Sequence, residues 1–314
     1  MIEVFKRIIN SIIRFFRSMF NGLRRRTRDL PGNPDLRIIG ARRSGKTTFM
    51  AALAYWPNAK PDSPIESVNP FDDDTARLIA MAQDILENGL PFAGNYPVED
   101  LSQLPLYTLL IEIKPAFSLG GNLRFQVSCR EYPGELIEDL RNRSTASRGL
   151  SNYLDDCADG SGLLLLIDGT AKEDRKYAQA FDRLKTELNI RLTGQGKNLS
   201  SYRIAVVFSK TEQGTVWIHR YDIKKFISLK FPQTQNTIQK WRKEWGCSVN
   251  YFFCSAFGMK GNPPQPNVRI EERDREGTRS VIDRPQYWRP FGLVAPIYWL
   301  HTGKDDQRLR KMED

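Results

Sequence analysis

The stretch from Asp35 to Met50, DLRIIGARRSGKTTFM, leaves little freedom in what the chain around it can be. Leu36 to Ile39 is a short apolar, β-branched run and reads as a buried strand. Gly40 to Thr47 has the form GxxxxGK[ST], with a glycine at each end of the turn. Thr48 to Tyr55 is apolar and Ala-rich and reads as a helix. Strand, glycine-bounded turn and helix in that order form a phosphate-binding loop. Gly40 and Gly45 let the backbone wrap a phosphate chain, and the amides from Arg43 and Ser44 through Thr48 point at the anion. Lys46 would reach the β- and γ-phosphates, and the Thr47 hydroxyl would bind Mg²⁺.

Composition narrows the field by exclusion. The 314 residues, 40% hydrophobic, allow one large α/β domain with additions or two small ones. Four cysteines (Cys129, Cys157, Cys247, Cys254) show no CxxC pair, which suits reduced, buried thiols in a cytoplasmic protein. Two histidines, His219 and His301, stand far apart and give little material for a zinc site or His-based catalysis. The net charge is +10, of which the first 30 residues supply +6. The basic balance is thus largely a property of an N-terminal arm, and nucleic acid is not the expected partner of the rest.

In that arm Phe5, Ile8, Ile9, Ile12, Ile13, Phe16, Phe20 and Leu23 share one helical face. Lys6, Arg7, Arg14 and Arg17 are interspersed, and Arg24, Arg25, Arg26 and Arg28 follow. No apolar run reaches the ~20 residues of a spanning helix. The pattern suits a helix lying in an anionic membrane surface through residues 1–28, and equally one docking on its own domain or a partner; an Arg-rich transit peptide is a third reading. Asp29 to Pro34 is turn-rich and ends the arm.

Along the remainder, Trp56 to Pro64 reads as loop, Phe71 to Asn88 as a helix ended by Gly89, and Gly89 to Pro105 as irregular. Leu106 to Lys114 and Leu123 to Cys129 form an expected antiparallel hairpin. Leu136 to Asp159 is helical with a polar break at Asn142 to Gly149. Gly162 to Asp168, Tyr202 to Phe208 and Val249 to Phe253 read as buried strands, the first wholly apolar as in a central parallel strand. Helices are expected at Asp174 to Leu192, Asp222 to Leu229 and Gln233 to Trp245. Gly258 to Pro290 reads as a long loop, Phe291 to His301 as a closing helix, and the tail from Gly303 as frayed. Alternating strands and helices give an α/β fold with a mostly parallel sheet.

Three further motifs follow strands in order: Glu131-x-x-Gly134, Ser209-Lys210-Thr211-Glu212 and Ser255-Ala256. With the loop at Gly40 to Thr47, this series resembles the P-loop GTPases of the translation-factor and Ras type. The form EYPGE, the long segment before the hairpin and the ending RPFGLVAPIYWL look like the bacterial double-GTPase group, which is associated with multi-gene conflict systems. The resemblance spans about residues 36–302. It implies a three-layer α/β/α sandwich, with one antiparallel edge strand, over 35–302, an N-terminal arm over 1–30 and a charged tail over 303–314.

By that resemblance the chain is a Mg²⁺-dependent GTP-binding protein and slow GTPase, binding GTP and GDP in preference to ATP. Glu131 would join Thr47 at the metal, the Gly134 amide would sense the γ-phosphate, and Glu135 would place water. Arg42 and Arg43 are candidates for a built-in positive charge near the γ-phosphate, although both suit solvent or a partner as well. Ser209 and Lys210 would hold the base, Glu212 would accept from the guanine edge, and Ser255 and Ala256 would offer backbone to its carbonyl. Glu131, Ser209 and Glu212 depart from the family's Asp, Asn/Thr and Asp. A polar turn after a strand is the plainer account of Ser209 to Glu212, and with it the chain would be an ATPase of the same fold. A non-hydrolysing scaffold that recruits partners is the other alternative. Thr75, Ser102 and Thr108 are open choices for a switch-one hydroxyl. Protein partners, as effector or in assembly, are expected. So is a place in the cytoplasm or on the inner face of the membrane, and a nucleotide-dependent dimer is left open.

Overall fold

A computed structural model describes residues 27–32, 34–54, 63–89, 100–116, 121–142, 148–274 and 277–312. The expected helix of the N-terminal arm lies outside the described residues. An eight-stranded sheet carries the fold. Its strands are β1 (Asp35–Gly40), β2 (Ile65–Pro70), β3 (Leu106–Ile113), β4 (Leu123–Glu131), β5 (Gly162–Asp168), β6 (Arg203–Ser209) and β7 (Ser248–Phe253), in spatial order β2-β3-β4-β1-β5-β6-β7. A two-residue piece, Arg28–Asp29, pairs with the start of β4. Only β3 runs against the others, pairing antiparallel with β2 and β4. The expected sheet is therefore present, with β2 added outside the reversed strand.

Neighbouring residues of the central strands serve opposite faces, as the period of two requires. Ile38, Leu164, Leu166, Ala205 and Val207 pack into one core with α1 (Lys46–Ala54), α2 (Asp73–Glu87) and α8 (Val294–Thr302). Ile39, Leu163, Leu165, Ile167, Val206 and Phe208 pack into the other. That second face is covered by α3 (Glu135–Arg141), α4 (Arg148–Asp159), α5 (Asp174–Gly194), α6 (Ile223–Lys230) and α7 (Pro232–Trp245). Helix α1 is buried nearly all round, since it sits between the sheet and α2, which explains its uniform Ala, Leu and Phe content.

β1 lies between β4 and β5, so the connections leave it in opposite directions. A crevice opens at such a switch point, beyond the carboxyl ends of the strands. The register aligns Ile38 with Glu131, Gly40 with Leu166, Asp168 with Ser209 and Phe208 with Phe253. The four motifs thus emerge along one edge of the sheet.

Three expectations are corrected. The interval between α1 and the hairpin is not free of strands: β2 occupies Ile65–Pro70. Its sequence, IESVNP, carries the Glu, Asn and Pro that belong to an edge strand and mask it. The loop read at Gly258 to Pro290 contains the antiparallel pair β8 (Val268–Asp274) and β9 (Gly277–Ile282). The tail is docked rather than frayed: Gln307–Arg310 is helical, Leu309 is buried, and the Arg310 guanidinium lies 4.0 Å from the Phe252 ring centroid.

Candidate functional site

The phosphate loop has the geometry its glycines require. A Cβ on Gly40 would stand 2.5 Å from the Leu166 carbonyl oxygen, so no larger residue fits where β1 ends. Gly45 has φ of +87°, a left-handed conformation that glycine adopts without steric cost. Arg43 (φ +66°) and Lys210 (φ +58°) are the other left-handed positions outside glycine among the described residues. Each costs about 1 kcal/mol, and such strain gathers at ligand sites. Both residues line the same cavity.

Lys46 is buried and folds back over the loop, its Nζ donating to the carbonyls of Gly40 (2.9 Å) and Ala41 (3.2 Å). Burial lowers its pKa, against the opposing charges of Glu131 and Glu135. The Thr47 hydroxyl donates to Glu131 Oε1 at 2.8 Å. Burial raises the Glu131 pKa, against the pull of the Lys46 ammonium and the Thr47 hydroxyl. The loop hydroxyl and the carboxylate of the second motif are thus brought together beside the lysine. They fit Mg²⁺, which takes one or two protein oxygens and completes its shell with phosphate and water. A buried carboxylate held above its usual range gains most from an added cation. Among the described residues there is no cluster of three or more His, Cys, Asp or Glu that would suit a metal held by protein alone.

The second motif is bolted down ahead of its glycine. Tyr132 is fully buried, and its hydroxyl donates to Asp156 Oδ2. Asp156 also accepts from Arg37 Nε (2.7 Å), Arg37 Nη2 (2.9 Å) and Arg130 Nη1 (2.7 Å). Burial pushes the Asp156 carboxyl up, but the Arg37 and Tyr132 hydrogen bonds outweigh it and hold the pKa below the usual value. One carboxylate on α4 therefore ties β1, β4 and the EYPG turn together. Asp156→Ala is expected to cost about 3 kcal/mol, because it strands the nearly buried Arg37 charge. The depressed carboxylate lends stability above its unfolded pKa that is lost as pH falls through the lower folded value. Urea unfolding at neutral and acidic pH would show a variant deficit that narrows in acid.

Gly134 lies against the loop. A Cβ there would meet the Arg42 backbone nitrogen at 2.5 Å. Next to it, Glu135 Oε1 and Arg42 Nε form an ion pair at 3.5 Å, with Arg42 well exposed. The two candidates for water placement and charge stabilisation thus face each other at the rim. Arg43 turns instead to the cavity. Thr75 and Thr108 serve the framework: Thr75 Oγ1 donates to Asp72 and accepts from the Thr108 amide, and the Thr108 hydroxyl meets that of Ser128. Neither they nor the 3₁₀-helical Ser102 lines that cavity.

The third motif divides its labour. The Ser209 hydroxyl lies 2.6 Å from the Ser44 carbonyl and 3.2 Å from that of Ile167, tying the phosphate loop to the end of β6. Lys210 Nζ pairs with Asp168 Oδ2 at 2.5 Å. Glu212 is buried, and its Oε2 has no hydrogen-bond partner. Burial raises its pKa, with the Ser255 hydroxyl and Gln213 pulling the other way. Ser255 is occupied by structural bonds: its backbone exchanges hydrogen bonds with Phe291, and its hydroxyl accepts from the Gly258 amide. The Ala256 carbonyl accepts from the Trp288 indole, while Ala256 itself lines the cavity.

That cavity holds about 710 Å³ and runs from Arg43, Gly45 and Thr48 past Ser209, Lys210 and Glu212 to Ala256. Thr170, Phe257, Val268, Ile270 and Ser280 also line it, and none of them was foreseen from sequence. The apolar-polar alternation of Val268, Arg269 and Ile270, answered after Gly277 by the β-branched pair Val281 and Ile282, is the signal that points to this hairpin.

A phosphate loop at the switch point of a mostly parallel, helix-covered sheet defines the class: an α/β P-loop NTPase domain. No protein-family model matches the chain, and no curated protein matches it. Among solved structures it is similar to P-loop GTPases. One is the signal recognition particle receptor SRb in its GTP/SRX complex from Chaetomium thermophilum (15% identity over 74% of this chain and 94% of that one, TM-score 0.38). Another is the GTP-bound Ski7 GTPase-like domain of S. cerevisiae (13%, 90% and 51%, TM-score 0.36). A third is a GTP-binding protein from Sulfolobus solfataricus in complex with GDP (14%, 81% and 53%, TM-score 0.29). The chain spans about half of the second and third. These are distant likenesses of shape, and they do not assign a ligand or an activity.

Proposed function

We propose that this chain is a Mg²⁺-dependent guanine-nucleotide-binding protein and a slow GTPase used as a switch. The observation that carries the reading is Glu212: a buried carboxylate with an unpaired oxygen, on the wall of the cavity that begins at the phosphate loop. Such an oxygen is costly until a donor reaches it. A guanine edge offers two adjacent N–H donors, and adenine does not.

The chain's own residues then have distinct tasks. The loop amides and Lys46 bind the phosphates, and Lys46 exchanges its Gly40 and Ala41 carbonyls for phosphate oxygens. Thr47 and Glu131 hold Mg²⁺, which neutralises charge on the phosphates when bound. Ser209 keeps the loop registered on β6. Glu135 leaves Arg42 to orient water, and Arg42 is then available to the γ-phosphate. Since Glu131 and Tyr132 are locked into the core, a nucleotide-dependent change would start beyond Gly134.

With no partner, hydrolysis on the order of 10⁻³ s⁻¹ is expected. Single-turnover chromatography of bound GTP tests this. Glu135→Ala should slow the step at least ~100-fold, the low end for loss of a group that handles the attacking water. A variant that hydrolyses at the wild-type rate would remove Glu135 from the mechanism. The arm's apolar face and Arg cluster support attachment of residues 1–28 to an anionic membrane surface, and the double-GTPase resemblance supports assembly with protein partners. No described helix is long and apolar enough to cross a membrane.

A further inference from the structure

The β8–β9 hairpin has two faces with different contacts. In its register Val268 pairs with Ile282 and Ile270 with Ser280, so these four share one face, while Arg269 and Val281 share the other. Val281 is buried, and its Cγ1 lies 2.8 Å from where a Cβ would stand on Gly89, beyond the end of α2. On the first face, Val268, Ile270 and Ser280 line the 710 Å³ cavity together with Lys210 and Glu212. Ile270 is 54% exposed, an apolar side chain left open on a cavity wall.

The hairpin is also held rigidly to the strand end beside it. Asn267, fully buried, gives its amide to the Gly258 carbonyl. It takes the Asp283 amide on its own carbonyl, and its side chain bonds both the carbonyl and the amide of Arg284. Trp288 closes the same unit by donating to Ala256. The wall is therefore fixed relative to Glu212 and Ala256 before any ligand arrives.

We propose that this hairpin is the apolar wall of the base pocket, with Ile270 and Val268 covering a face of the planar purine whose edge Glu212 reads. This rests on the guanine-nucleotide reading and adds to it a determinant of affinity that lies outside all four motifs. The wall acts on the base and not on the phosphates, because Lys46 and the loop amides stand on different elements.

The test uses the full chain labelled at isoleucine δ1 methyls, titrated with GTP and, separately, with inorganic tripolyphosphate in Mg²⁺. The Ile270 methyl, assigned by its absence in Ile270→Ala, is expected to shift upfield with GTP and to stay in place with tripolyphosphate. Ile270→Ala, at an exposed position that does not endanger the fold, is expected to weaken GTP about 10-fold through lost apolar cover. An Ile270 methyl unmoved by GTP, or an unchanged GTP affinity in Ile270→Ala, overturns the wall while leaving the nucleotide reading intact. A wild-type chain that binds no GTP overturns both.

Discussion

Lys46→Ala is expected to remove GTP binding, lowering affinity at least ~1,000-fold, the scale of losing charge-assisted bonds to a polyphosphate in a partly dry site. The structure gives the reason. The ammonium is almost wholly buried, is held by two loop carbonyls, and stands beside the equally buried Glu131. Burial disfavours its charged form, so the group is poised to gain from an anion. No other lysine is placed in the loop, and Arg42 stands exposed at the rim rather than buried beneath the loop as Lys46 is. Fluorescence titration with a labelled GTP, alongside a circular-dichroism melt to confirm folding, measures the effect. A folded variant with unchanged affinity would contradict the phosphate site.

Glu212→Ala is expected to weaken GTP about 100-fold while leaving ATP nearly unaffected, so that discrimination between them disappears. A site built to pair with two donors rejects a ligand lacking them because its own buried group stays unsatisfied. The pH dependence has a definite sign. Burial raises the Glu212 pKa, so its carboxyl takes up a proton at a higher pH than an ordinary glutamate does. Guanine pairing needs the ionised form, and GTP affinity should therefore fall as pH falls through that raised value. ATP, and both nucleotides in Glu212→Ala, should keep only the shallower dependence that Glu131 and the terminal phosphate impose on any nucleotide, so that GTP in the wild type falls more steeply than ATP. Competition binding across mildly acidic to neutral pH measures it, and parallel GTP and ATP profiles in the wild type would contradict base reading by Glu212.

The parts of this fold that could be read from residues were those with a strong local signal. GLLLLID and YRIAVVF are uninterrupted apolar runs, and both became central parallel strands. GxxxxGK[ST] carries its own geometry, and the loop follows β1 as its spacing predicts; Thr47 and Glu131, joined by the family resemblance alone, are within hydrogen-bond distance of each other. What could not be read depended on tertiary partners. β2 is an edge strand whose polar residues look like loop until β3 pairs with it. The hairpin at 268–282 is rich in charge in its sequence, and only the fold reveals that Val268 and Ile270 line the cavity. The docking of Gln307–Arg310 rests on Leu309 and on Arg310 over Phe252, contacts between segments far apart in sequence. Ser209 was expected at the base; it lines the cavity, and the fold adds a contact no motif announces, its hydroxyl donating to the Ser44 carbonyl.

The central claim is that Glu212 and the phosphate loop form one guanine-nucleotide site. Equilibrium titration of the full chain with matched fluorescent GTP and ATP analogues, in Mg²⁺ and again in EDTA, tests it most directly. The proposed site predicts tighter binding of the guanine analogue, weakened when EDTA withdraws the Mg²⁺ that Thr47 and Glu131 would hold. Equal or stronger binding of the adenine analogue would contradict it, making Ser209 to Glu212 an ordinary turn and the chain an ATP-binding member of the same fold.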